Sequence, residues 1–105
     1  MRRHRNAKII ATLGPATSSA QKIHDLFVAG ADVFRLNFSH GTVDEHRKRV
    51  NIIRELEKKT GRPVGILLDL QGPKIRVGDI RGGKATLEEG QPFTLDGDDT
   101  PGDAS

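Results

Sequence analysis

The residues best suited to chemistry fall into three polar groups separated by apolar stretches. Thr12 and Gly14 form the first; Arg35, Asn37, Ser39 and His40 the second; Asp69, Gln71, Lys74 and Arg76 the third. Together they are rich in cations and neutral oxygen donors, with Asp69 as the single carboxylate. Arg35, Lys74 and Arg76 suit a phosphorylated anion, because a guanidinium offers a two-pronged fork to phosphate oxygens. Other chemistries find no support. There is no Ser-His-Asp set, no metal-binding histidine pair and no pair of carboxylates of the glycosidase kind. With no cysteine, thiolate nucleophiles, thiolate metal sites and disulfides are excluded. Each candidate also has a plainer reading. Asp69 pairs with a neighbouring lysine or caps a loop, His40 bonds a helix N-terminus, Arg76 faces solvent, and His24 and His46 are structural or solvated.

Three strands and two helices must position these groups. Lys8–Leu13 is a short apolar run closed by Gly14-Pro15, which predicts a buried strand and a turn. Ser18, with Gln21 three residues on, reads as the capping box of a helix whose stripe is Ile23, Leu26 and Phe27 and whose stop is Gly30. Val33–Phe38 alternates as a second strand. Thr42 and Glu45 form another capping box, opening a helix over Val43–Thr60. Its stripe is Val43, His46, Val50, Ile53 and Leu56, and Gly61 and Pro63 end it. Val64–Leu70 is the third strand. Alternating strands and helices with short connections predict a parallel α/β arrangement, in which polar groups at the carboxyl ends of the strands gather at one rim.

The second strand carries the sharpest signal. Arg35 and Asn37 lie two apart and share a face with Val33, while Phe34, Leu36 and Phe38 point the other way. A polar pair at a strand end facing a site explains this pattern, and so does an edge strand with one solvated face.

Beyond Gly72-Pro73 the texture changes. Lys74–Gly78 alternates, Arg81–Lys84 is a turn, and Ala85–Leu87 and Pro92–Leu95 are short strands about Glu88–Gln91. That pattern predicts a β-meander and a second, all-β unit. The acidic end, with Asp96, Asp98, Asp99 and Asp103, is expected to be loop or disorder. The basic start, with Arg2, Arg3, Arg5 and Lys8, has no interleaved aromatics and no recognition helix after it, so a solvated terminus is favoured over nucleic-acid binding. Nothing in the chain reads as a membrane span, and a soluble, cytoplasmic protein is expected. Three parallel strands with two helices leave one sheet face and both edges uncovered, and a closed (β/α)8 TIM barrel needs ~250 residues. The 105 residues therefore fit the first three βα positions of such a barrel.

Three long stretches carry a resemblance. Lys8–Thr17 (KIIATLGPAT), Gly30–Gly41 (GADVFRLNFSHG) and Leu68–Gly78 (LDLQGPKIRVG) are similar, in order and spacing, to the motifs of the first three strands of pyruvate kinases. The resemblance implies that residues 1–72 are the N-terminal part of the TIM-barrel catalytic domain and 73–105 the beginning of the β-rich B domain. It implies that Arg35 binds the phosphate of phosphoenolpyruvate. Asn37, Phe38, Ser39 and His40 would line the nucleotide phosphates, and Arg76 would contact ATP. Asn37, Ser39 and Asp69 would belong to a monovalent-cation pocket. The implied reaction is phosphoryl transfer from phosphoenolpyruvate to ADP with Mg²⁺, giving pyruvate and ATP, in an enzyme that usually forms homotetramers. Catalytic lysine and Mg²⁺ carboxylates are expected on later strands, so the 105 residues alone are expected to be inactive. A non-catalytic truncated product or an anion-binding module is the alternative. Potassium-dependent members carry Thr or Ser where this chain has Leu70, and Glu where it has Lys74. The departure resembles the potassium-independent branch, with Lys74 as the surrogate for K⁺.

Overall fold

The computed structural model describes residues 3–105, so the expectation for Arg2 lies outside the described residues. The chain divides into two compact units, one running to Gly72 and one over Pro73–Ser105. The first contains β1 (Ile10–Leu13), α1 (Ala20–Ala29), β2 (Val33–Asn37), α2 (Val43–Thr60) and β3 (Gly65–Asp69). The strands form one parallel sheet in the order β1-β2-β3. Each is a residue or two shorter than the apolar run that predicts it, since a strand ends where ladder pairing ends rather than where hydrophobicity does.

Register explains the division of faces. Leu13 pairs with Leu36, Ala11 with Phe34, and Phe34 with Ile66. Neighbours in a ladder share a face, so these residues line one side of the sheet, where Phe34 and Leu36 are fully buried. Ile23 and Phe27 of α1 and Ile53 and Leu56 of α2 complete the core against them. The other side carries Thr12, Val33, Arg35, Asn37, Leu67 and Asp69 by the same register; there Thr12 and Leu67 are exposed. At the start of that side Gly65 is crowded by its neighbour: a Cβ built on it lies 3.0 Å from Val33 Cγ2.

The helix ends follow local chemistry. The Thr42 hydroxyl accepts from the Glu45 amide at 3.2 Å, and Glu45 Oε2 accepts from the Thr42 amide at 2.7 Å. At the other end Gly61 takes the left-handed conformation (φ 64°) and donates to the Glu57 carbonyl. Asp44 and Glu45 in the first turn and Lys58 and Lys59 in the last complement the helix dipole. Val43 is exposed rather than part of the stripe. The cap of α1 is Ser19, not Ser18: the Ser19 hydroxyl accepts from the Lys22 amide, while Gln21 donates to Asp25. Ser18 is drawn away because its hydroxyl donates to the Gly14 carbonyl at 2.7 Å.

The basic start is not merely solvated. Asp32, between α1 and β2, accepts from the Ile9 amide at 2.9 Å and pairs with Arg5 at 2.5 Å and Arg62 at 3.1 Å. Arg3 Nε lies 3.6 Å from the same carboxylate, and its guanidinium sits over the Phe27 ring. Arg3 and Arg5 also donate to the Phe27 and Gly30 carbonyls, at the carboxyl end of α1. The Ile9 amide foremost, then Arg5 and Arg3, hold the Asp32 carboxyl below its usual range.

The second unit departs most from expectation. Neither Lys74–Gly78, Ala85–Leu87 nor Pro92–Leu95 forms a strand. The regular features are a 3-10 turn at Arg81–Gly83, a turn in which the Gln91 amide donates to the Glu88 carbonyl, and a parallel bridge between Ile80 and Gly102. That bridge ties down the acidic end, with Gly102 donating to Asp79 and accepting from Arg81. The physical reason is exposure. Ile75, Val77, Leu87 and Leu95 are all exposed, and an alternating run gains nothing from the strand conformation unless one of its faces is covered.

Candidate functional site

Arg35 is the centre of the open face at the carboxyl end of β2. Its Nη1 donates to Thr12 Oγ1 of β1 at 3.2 Å, and its Nη2 donates to Asp69 Oδ2 of β3. The register sets this up, since Arg35 pairs with Thr12 on one side while Asn37, two residues on, pairs with Asp69 on the other. Asp69 therefore pairs with an arginine across the sheet. Both side chains stay partly exposed, at 30% and 45%, so the pair adds little stability and mainly orients the guanidinium. An arginine has five N–H donors. Two are used here, leaving three for an incoming anion.

The backbone after β2 turns tightly around Asn37. Asn37 Oδ1 accepts from the Ser39 amide at 3.0 Å, and its carbonyl accepts from the His40 amide. The Phe38 amide donates to the Asp69 carbonyl at 3.0 Å, extending the ladder one step past the strand. The Phe38 ring turns away from the open face and stacks on His46, with centroids 4.4 Å apart. His40 is exposed; its carbonyl, not its ring, is engaged, by His46 Nε2 at 2.7 Å. His46 itself is buried, and His24 is exposed.

Beside this group lies a cavity of about 670 Å³. Gly14, Pro15 and Ser18 wall it from the β1–α1 loop, Asn37 and His40 from the end of β2, and Lys48 and Arg49 from α2. Thr12 and Asn37 belong to both the cavity wall and the Arg35 cluster. Arg35 itself does not line this space of ligand size, which the cluster meets through Thr12 and Asn37. Lys74 and Arg76 lie in the second unit, where both are exposed.

The oxygen donors suit a monovalent cation only in part. Asn37 Oδ1 and Asp69 Oδ2 are already engaged, and Leu70 offers no side-chain oxygen. Among the described residues, no three His, Cys, Asp or Glu side chains converge as a divalent-metal site. No helix among them is long and apolar enough to cross a membrane.

Sequence reasoning overlooked Asp32 and Arg49. Arg49 is buried and lines the cavity. Its spacing held the clue: it stands three residues after His46 and four before Ile53, on the buried stripe of α2.

The carboxyl ends of the strands, where ligands bind in parallel α/β sheets, thus gather an arginine, hydroxyl and amide oxygens and a cavity. The family described as pyruvate kinase, barrel domain, matches residues 4–104, and the chain belongs to that family. It is 53% identical over 103 residues to a pyruvate kinase of Methylorubrum extorquens, covering 98% of this chain and 22% of that protein. It is 50% identical over 95 residues to pyruvate kinase II of Salmonella typhimurium, covering 90% and 20%. A crystal structure of a pyruvate kinase from Cryptosporidium parvum superposes with a TM-score of 0.74 at 36% identity, covering 92% of this chain and 20% of that one. The chain thus spans about a fifth of the length of these relatives.

Proposed function

We propose that this chain is the N-terminal portion of a pyruvate kinase, supplying phosphate and nucleotide contacts for phosphoryl transfer from phosphoenolpyruvate to ADP. The observation that carries the reading is Arg35, set on the central strand between Thr12 and Asp69 with three N–H donors left over. In this reading those donors bind the phosphoryl group of phosphoenolpyruvate. The adjoining cavity, bordered by Asn37 and His40, takes the nucleotide phosphates. Residues 1–72 are the first three βα positions of a TIM barrel, and 73–105 begin the B domain, from which Arg76 contacts ATP.

Arg35 contributes charge stabilisation at the transferring group, where fixed cations are worth more than in water. Asp69 and Thr12 hold its plane so that little reorganisation is needed on binding. Mg²⁺, when bound, neutralises phosphoryl oxygens through carboxylates outside these 105 residues. The cation pocket of Asn37, Ser39 and Asp69 is short of one oxygen at Leu70, and Lys74 supplies the positive charge in place of K⁺. The complete enzyme is cytoplasmic and a homo-oligomer, as its family usually is.

The test is a lactate dehydrogenase-coupled assay on the full-length protein that carries this segment. Turnover with phosphoenolpyruvate, ADP and Mg²⁺ is expected. Arg35→Ala should lower kcat/KM by about 10²–10³-fold, the loss typical when a transition-state donor is removed. An unaffected variant overturns the role of Arg35. The 105-residue chain by itself should show no turnover above background. Assays in tetramethylammonium salts with and without KCl separate the two cation readings, and strong K⁺ activation sinks the role of Lys74.

A further inference from the structure

Two of the loops bordering the cavity are joined by a chain of hydrogen bonds, buried at its Arg49–His46 link, that no part of the proposed reaction uses. The Gly14 carbonyl accepts from the Ser18 hydroxyl at 2.7 Å, and Ser18 Oγ accepts from Arg49 Nε at 2.9 Å. Arg49 Nη1 lies 3.1 Å from His46 Nδ1, and His46 Nε2 lies 2.7 Å from the His40 carbonyl.

The chemistry of each member fixes its direction. A guanidinium can only donate, so His46 Nδ1 is the acceptor. A carbonyl can only accept, so His46 Nε2 carries the hydrogen. The imidazole is therefore neutral and in a defined tautomer. Ser18, accepting from Arg49, has its own hydrogen free for Gly14. His46 and Arg49 are 3% and 7% exposed, which makes an unmade bond in this chain costly. The Phe38 ring clamps the imidazole by stacking.

The groups around this chain come from three elements. Arg49 and Glu45 face the imidazole from α2, and the loop after β2 adds His40. The β1–α1 loop adds only the neutral Gly14 and Ser18. Glu45 is held first by the Thr42 amide and feels the positive charge of Arg49. A proton added to His46 Nδ1 would replace its bond from Arg49 by two facing cations.

We propose that Arg49 is a positioning residue: acting through Ser18 and His46, it sets the spacing between the Gly14–Ser18 and Ser39–Gly41 loops. The assignment of those loops to phosphate and nucleotide rests on the reading of the preceding subsection; the coupling itself does not.

The experiment is amide hydrogen exchange by NMR on the 105-residue chain and its variants, together with long-range proton–nitrogen spectra of the histidine rings. In the unmutated chain, His46 is expected to show a protonated Nε2 and an unprotonated, hydrogen-bonded Nδ1. Arg49→Met should lower protection about tenfold in both loops while β2 keeps its protection. Ser18→Ala should loosen only the first loop and His46→Leu only the second. His46→Gln, whose amide supplies one acceptor and one donor, should restore the second. The opposite tautomer overturns the proposal. So does loss confined to one loop in Arg49→Met, uniform loss that includes β2, failure of the Gln rescue, or an unmutated chain with unprotected rim amides. If coupling is found but the full-length protein turns over no phosphoenolpyruvate, the functional reading fails and the positioning role stands.

Discussion

The two units respond differently to the same kind of sequence. Both contain alternating apolar residues, yet β2 buries Phe34 and Leu36 completely while Leu95 stays 85% exposed. Two amphipathic helices pack over one face in the first unit. Nothing comparable exists within Pro73–Ser105, which holds itself by turns and a single bridge. Alternation gives a strand only when something covers one of its faces.

The sharpest way to break this contrast is to mutate one apolar residue in each unit. Phe34→Ala should destabilise the chain by about 3–5 kcal/mol, the cost of emptying a fully buried phenylalanine site. In a urea melt followed by circular dichroism this should remove the cooperative transition. Leu95→Ala should change stability by less than about 0.5 kcal/mol. Equal losses would mean that the second unit has a core of its own.

A pH-graded effect comes next, at Asp32 of the first unit. The folded-state pKa of Asp32 is depressed. Its stabilisation is therefore fully present above the unfolded carboxyl value of about 3.9 and is lost as pH falls through the folded one. Asp32→Asn should lower the urea midpoint at pH 7 and flatten its fall below pH 4. An acid limb unchanged in the variant would show that Arg3, Arg5 and Arg62 draw nothing from this carboxylate.

Smaller effects mark the helix ends. Thr42→Ala removes a cap and should cost about 1 kcal/mol. Gly61→Ala should cost about 1–2 kcal/mol, from backbone strain alone, since a Cβ there meets nothing within 4 Å. A loss for Gly61→Ala well beyond that range would point to a contact that the geometry does not contain.

These differences also explain what could be read in advance. The bounds of α2, Val43 and Thr60, were legible because both flanks carry residues with one physical job, the Thr42–Glu45 box and the left-handed Gly61. The α1 cap slipped from Ser18 to Ser19 because two adjacent serines offer equal hydroxyls, and only the tertiary partner of Ser18 decides between them. Arg35, Asn37 and Asp69 were legible as strand-end polar groups. Their arrangement was not, because it depends on which strands neighbour which. Asp32 and Arg49 look like ordinary surface charges until the elements around them close. The short apolar runs after Gly72 misled for the opposite reason, since periodicity reports what a segment can do if covered and says nothing of the cover.

Gly65 has a further bearing on the open face. A strand of five residues behaves as a short stiff rod, and Asp69 stands four residues along it, about 13 Å at ~3.3 Å per residue. Val33 leans into the space that a methyl would occupy, its Cγ2 3.0 Å from the Cβ position. Any side chain at position 65 would work as a wedge under one end of that rod. Its displacement would be carried to the other end, where the aspartate must reach the arginine. The missing methyl at the bottom of the strand is thus a calibration of reach at its top.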